Sequence, residues 1–378
     1  MTSTGRLRQP IRASKQLLSD VLRDFASWPT QGPRLVDEFE CVISVLLAIF
    51  CAHVAEARNI GWAAFSGYVV MRSHARESFR RGVLRVIGTS AGAAAAWASA
   101  GVLGSMFRLS VALACVGAVT LYLALVSRRS YAWLFTGLTF VMVLVDGMEH
   151  PGESLTALAW SRFIEVFIGT AACVFVSAIS TATVRRALAA TQSKAGKAAI
   201  VPRGGWWHAD AIVHAVQGGL ALALIPLAWQ YLHIEGLSQS GVTIMAVMMV
   251  PLASLTSRAN QTTRKLAHRF AGCAAGGLLA SGILVASHQL PIVMVLGICT
   301  GVIVGRHVEN GNLGIGYVGT QFALAFLVVL VPDSYANPDL AVGLTRLVGV
   351  LFGMLLLEPV RWLFRACARQ SLRWPSSG

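Results

Sequence analysis

Residues 80–92, RRGVLRVIGTSAG, return in altered form as residues 264–276, RKLAHRFAGCAAG. Each stretch sets an arginine three and seven positions ahead of glycines: Arg85, Gly88 and Gly92 in the first, Arg269, Gly272 and Gly276 in the second, an offset of 184. The relation extends along the chain. Arg162 and Gly169 map onto Arg346 and Gly353 at the same offset, and Tyr131 with the following TFVMVLV maps onto Tyr317 and AFLVVLV at an offset of 186. The chain therefore reads as two copies of one unit. Glycines four apart on a helix lie on one face and let a neighbouring backbone approach closely, so the two Arg–Gly–Gly sets are read as a helix-packing motif.

The unit is a membrane one. Of 378 residues 55% are hydrophobic and 13% charged, against about 25% charged in soluble domains, and the mean hydropathy is +0.64. Apolar blocks fall at 41–57, 60–71, 83–103, 109–127, 131–147, 159–183, 211–231, 241–256, 266–286, 290–304, 313–331 and 340–360. Their lengths suit helices crossing a hydrocarbon core roughly 30 Å thick. Without water to satisfy peptide groups, helices or a closed barrel must span it, and the ten-residue alternation of a barrel is absent. The expected fold is an all-α membrane protein of about twelve spans, arranged as two six-helix repeats. An even number of spans per repeat keeps both in the same orientation. The segments are then a cytoplasmic region 1–35, a first repeat 36–186, a linker 187–210, a second repeat 211–362 and a basic tail 363–378.

The net charge of +14 points to nucleic acid only if it is gathered on a folded domain, and it is not. With a cytoplasmic N-terminus, 27 of the 31 Lys and Arg fall on the inner side of the twelve spans, while Arg58 and Arg108 fall outside with Asp146, Glu149, Glu153, Glu235, Asp333 and Asp339. That bias orients the chain with both termini and the linker cytoplasmic. Its expected location is an inner membrane, and its first partner is lipid. Ahead of the first span, Ile11, Leu18, Val21, Leu22, Phe25 and Trp28 recur at helical spacing among basic residues, as in a helix lying in the membrane interface. The first 40 residues lack the short apolar core and small-residue cleavage site of a secretory signal, so the first span is expected to double as an uncleaved insertion signal.

Catalytic and metal readings find no support. The seven cysteines are scattered without a CxxC pair or Cys/His cluster, so no metal or cofactor is expected. GTSAG at 88–92 fits the nucleophile-elbow pattern but lies inside an apolar helical run rather than at a strand-to-helix turn. GIGYVG at 314–319 fits a dinucleotide-binding pattern but lacks a βαβ setting.

Residues 61–93, GWAAFSGYVVMRSHARESFRRGVLRVIGTSAGA, resemble the FUSC, or fusaric acid resistance, superfamily. The shared features are a Trp early in the second span, a basic loop, and R-x-x-G-T-x-x-G opening the third. The second half is similar to the family's repeated module, with Cys273 in place of the Thr and no matching Trp. The resemblance implies an inner-membrane exporter of aromatic or other carboxylic acids, with distant kinship to plant malate-type anion channels. It leaves a homo-oligomer or a periplasmic adaptor protein as candidate partners. This chain departs from many members in having no large cytoplasmic domain between or after its halves.

The candidate anion-binding residues are Arg162 and Arg346, because each half places an arginine inside an apolar run at the same repeat position, despite a cost of roughly 2.5–3.5 kcal/mol at a helix centre. A guanidinium fork holds a carboxylate through two hydrogen bonds. Snorkelling of both to the outer headgroups is the competing reading. Tyr68 and Tyr317 are candidates to stack on an aromatic substrate, whereas Trp62 and Tyr131 suit an interfacial belt. Glu165, Glu40 and His53 are the candidates for proton coupling, with an Arg162–Glu165 ion pair as the structural alternative for Glu165. Proton-coupled efflux of organic acids, a passive organic-anion channel and a non-transporting scaffold thus stand as three readings of one sequence.

Overall fold

The computed structural model describes residues 19–20, 23–24, 26, 32–189, 207–255, 261–288, 290–331 and 340–371. The interfacial helix expected before residue 32 and most of the linker lie largely outside them. The longer elements are all helical: α1 (Gly32–Val54), α2 (Ile60–Val70), α3 (Ala75–Ala98), α4 (Met106–Val126), α5 (Ser130–Glu149), α6 (Leu155–Ala182), the short α7 (Val184–Ala189), α8 (Ala209–Leu232), α9 (Ser238–Met248), α10 (Gln261–Ala286), α11 (Pro291–Glu309), α12 (Gly316–Leu330) and α13 (Leu340–Ser371). Among the described residues no strand occurs.

Seven of these are long and apolar enough to cross a bilayer: α4, α5, α6, α8, α10, α11 and residues Gly343–Cys367 of α13. The others fall short for physical reasons. α1 carries Arg34, Asp37, Glu38 and Glu40 in its first turns, and α3 opens on ARESFRRG. α2 and α9 have only 11 residues each, about 16 Å of helix, half a hydrocarbon core. Both end in extended backbone, at Met71 (ψ 131°) and Met249 (ψ 90°).

The repeat visible in the sequence is a repeat of contacts. A Cβ on Gly88 would strike the carbonyl oxygen of Ala132, and one on Gly92 that of Thr136, so α3 lies backbone to backbone against α5. At the matching positions, Gly272 meets Val318 O and Gly276 meets Phe322 O, joining α10 to α12. Gly169 on α6 likewise meets Ala63 O of α2, as Gly353 on α13 meets Ser240 O of α9. The glycine pairs thus close helices within each half.

Two of the contacts that join the halves differ in kind. Along α4 and α8 the contact is dry: Gly219 meets Ala114 O, Gly117 meets Leu222, and Gly218 meets Leu121. Where α11 meets α1 the contact is ionic. Arg306 Nε lies 2.7 Å from Asp37 Oδ2, and Asn310 donates to the same oxygen at 2.7 Å. Buried apolar side chains from both halves fill the space between.

Candidate functional site

Between the halves is a cavity of about 230 Å³, lined by α2, α3 and α5 of the first half and α9, α10, α12 and α13 of the second. Its wall is mostly aromatic and aliphatic, including Trp62, Phe65, Tyr131, Phe135 and Tyr317. Three cations, Arg85, Lys265 and Arg269, face it, and none of its lining residues is Asp or Glu.

The two arginines are held by matched cradles. Arg85 is 2% exposed and Arg269 4%. Arg85 donates from Nε to Ser66 Oγ at 3.2 Å, and Arg269 donates from Nε to Thr243 Oγ1 at 3.2 Å. Those hydroxyls are themselves fixed by carbonyls one turn back, Trp62 O at 2.8 Å and Gln239 O at 3.0 Å. The outer faces of the guanidinium groups differ. Arg85 lies 4.1 Å above the Phe135 ring, whereas Arg269 donates from Nη1 to Gln321 Oε1 at 2.7 Å and to the Tyr317 hydroxyl at 3.4 Å. Phe135 and Gln321 occupy the same repeat position, 186 apart. Lys265, over the Tyr317 ring at 4.9 Å, donates from Nζ to Ala246 O at 3.2 Å and also to Met249 O, satisfying the last carbonyls of α9.

Several arginines elsewhere in the bundle have acidic partners. Arg162 reaches Asp146 Oδ2 and Glu165 Oε2, both at 3.0 Å, and lies 5.3 Å from the Trp62 ring. The other oxygen of Glu165 accepts from the Asn59 amide at 3.0 Å, at the start of α2, and Arg346 donates to Asn59 Oδ1 at 3.2 Å. Arg162 and Arg346 therefore converge on one helix end, the former through Glu165, and neither lines the cavity. Glu149 does the corresponding work in the second half, accepting from Leu237 N at 2.7 Å just ahead of α9.

The remaining candidates separate. Tyr317 lines the cavity. Tyr68 is fully buried and turned away from it, donating to Glu309 Oε2 at 2.8 Å beside Arg306. Glu40 is buried against Arg185, whose Nε and Nη2 reach it at 2.8 and 2.5 Å, and accepts from Ser180. Burial opposes the charge on Arg185, but hydrogen bonds and attraction from Glu40 and Asp37 outweigh it and hold its pKa above the ordinary arginine value. His53 lies exposed near the end of α1. Among the described residues no group of His, Cys, Asp or Glu is arranged to hold a metal ion.

Sequence reasoning passed over Lys265, Gln321 and Phe135 as site residues. The available signal was a polar residue at the Phe135 position of the second repeat, inside an apolar run. Arg306 and Asp37 were also missed as partners, since they lie 269 residues apart.

No curated protein and no solved structure matches the chain. A family described as fusaric acid resistance protein-like matches it twice, over residues 47–176 and 227–357, one match to each half. With most of its length covered by two copies of that module and several helices apolar enough to span a bilayer, the chain is a multi-pass membrane protein of the transport class and belongs to the fusaric acid resistance protein-like family.

Proposed function

We propose that the protein carries organic carboxylate anions, aromatic ones above all, out across a bacterial inner membrane, and that the anion binds between Arg85 and Arg269. One observation carries this reading: two buried arginines without carboxylate partners among the described residues face a single aromatic cavity. Burying an unpaired charge is costly, and proteins keep such groups mostly where they are paired or functional. A bound carboxylate would supply the missing charge, and the aromatic wall would hold its ring. The cavity is smaller than the roughly 300–1,000 Å³ of drug-sized sites, which favours a one-ring acid.

In this reading Arg162 and Arg346 act on the scaffold, anchoring the start of α2. Twelve spans with both termini cytoplasmic, and two six-helix repeats, remain the expected topology. The charge bias along the chain supports it. Coupling to protons through Glu165 or Glu40 is part of the proposal, and a passive channel is its rival.

Proteoliposomes loaded with radiolabelled benzoate test it. Efflux is expected, lost in Arg85→Gln/Arg269→Gln, and driven against a benzoate gradient by an imposed pH gradient. Efflux that ignores the pH gradient identifies a channel. Flux equal to that of empty vesicles removes the transport reading for this acid.

A further inference from the structure

A second recess of about 440 Å³ opens beside the first half, lined by Arg72, Arg80, Arg81 and Arg128 with Glu77 as its acidic residue. It shares Tyr131, Leu134 and Met249 with the central cavity, so these three residues form the partition between the two spaces. Two polar atoms at that partition, the Tyr131 hydroxyl on it and Arg81 Nη1 on the recess side beside it, are buried without a hydrogen-bond partner. The Arg81 guanidinium rests on the Tyr131 ring, 4.6 Å from its centre.

Comparison of the repeats shows what is unusual here. Arg80 and Arg81 correspond to Arg264 and Lys265 at the offset of 184. In the second half both cations are tied to backbone: Arg264 donates to Gly314 O at 2.6 Å, and Lys265 to Ala246 O and Met249 O. In the first half the same positions have no such ties, and Arg80, Arg81 and Arg128 have no carboxylate within ion-pair distance among the described residues. The repeat thus holds one pair of cations in place and leaves the other pair facing a recess.

We infer that this recess is the mouth through which the anion reaches the cavity, and that Arg81 Nη1 and the Tyr131 hydroxyl form a first carboxylate site on the way. The inference rests on the cavity reading above. A guanidinium N–H and a phenol O–H are the donors a carboxylate needs, and both lack partners until one arrives. A cluster of like charges at the rim also concentrates anions and speeds their capture, an effect that weakens with salt. Once the anion engages Arg81, the cation–π contact with Tyr131 is free to break and the partition to open.

The test measures benzoate uptake from each side separately, in oriented vesicles, together with equilibrium binding of benzoate to the detergent-purified protein. Tyr131→Phe, which keeps the ring and removes only the hydroxyl, is expected to raise KM from the recess side about tenfold, and Arg81→Gln to do the same. For Arg81→Gln, a residue that does not line the central cavity, equilibrium affinity and KM from the far side should stay within about twofold. Arg80→Gln/Arg128→Gln should raise the recess-side KM at low salt, with the difference closing at high salt. Unchanged recess-side KM in these variants overturns the inference, as does an equal rise from both sides. An effect that appears only in vesicles containing phosphatidylglycerol also overturns it, by making the recess a lipid-headgroup site. If the wild-type protein binds no benzoate, the cavity reading fails for this acid and the inference falls with it; benzoate binding with no response to the recess variants leaves the cavity intact and removes the mouth alone.

Discussion

Arg85 and Arg269 are repeat-related residues that reach one cavity from opposite halves, each with its Nε 3.2 Å from a hydroxyl oxygen of the neighbouring short helix. Their surroundings are not equivalent. Phe135 offers Arg85 a ring face, and Gln321 offers Arg269 a carbonyl oxygen. A single anion bound between them, as proposed, would therefore meet one guanidinium with its donors little engaged and another already shared.

This asymmetry predicts unequal variants. Hydrogen bonds to charged groups contribute roughly 1.5–3 kcal/mol, so Arg85→Gln is expected to weaken benzoate binding by about tenfold or more. Gln321→Leu frees an Arg269 donor and should tighten binding or leave it unchanged, whereas Gln321→Glu should abolish it by pairing Arg269 internally. Equilibrium dialysis of the purified variants checks the order; wild-type affinity in Gln321→Glu would exclude Arg269 from the site.

The glycines joining α3 to α5 and α10 to α12 leave no room for a side chain. Gly92→Leu and Gly276→Leu are each expected to prevent stable assembly, because the obstruction is a backbone carbonyl rather than a side chain that can turn aside. Gly282, with nothing within 4 Å of a built Cβ, is the control, and Gly282→Leu should express normally. Size-exclusion profiles of the three variants decide it.

Arg162 sits between Asp146 and Glu165, so removing it strands two carboxylates in a buried site. Breaking a buried ion pair in this way costs roughly 3–5 kcal/mol. Arg162→Gln should lower the thermal midpoint in detergent substantially, and Arg162→Gln/Glu165→Gln/Asp146→Asn should recover much of the loss. A variant that melts like the wild type but loses benzoate affinity would return Arg162 to the substrate site.

Topology is checked by reporter fusions. A fusion after Lys197 is expected to report the cytoplasm, as is one after Arg373. A periplasmic signal after Lys197 would require an odd number of crossings in the first half and invert one repeat against the other.

Much of the bundle was legible because its determinants are local or periodic. Apolar blocks mark the helices, and the short second block of each half, 60–71 and 241–256, foreshadowed α2 and α9. The offset that pairs Gly88 with Gly272 also pairs the contacts they make, since repeated sequence folds to repeated packing. The blocks were less informative at α1 and α3, where the helices start before the apolar run, at Gly32 and Ala75, on turns rich in charge.

The sequence by itself determined the membrane class, the duplication and the register of small residues, all of which follow from hydrophobic period and spacing along one chain. The choice among its cations was decided only by the tertiary structure. Both Arg162 and Arg85 stand beside apolar residues, and Arg162 has Glu165 one helix turn on, a pairing the spacing already offered. Its second carboxylate, Asp146, lies 16 positions away across a helix connection, whereas Arg85 meets Ser66 and the face of Phe135. Coulomb attraction depends on distance in space, and most partners that cancel a charge are brought near it by packing, so spacing along the chain offers local pairings such as Arg162 with Glu165 without recording which arginine remains unpaired.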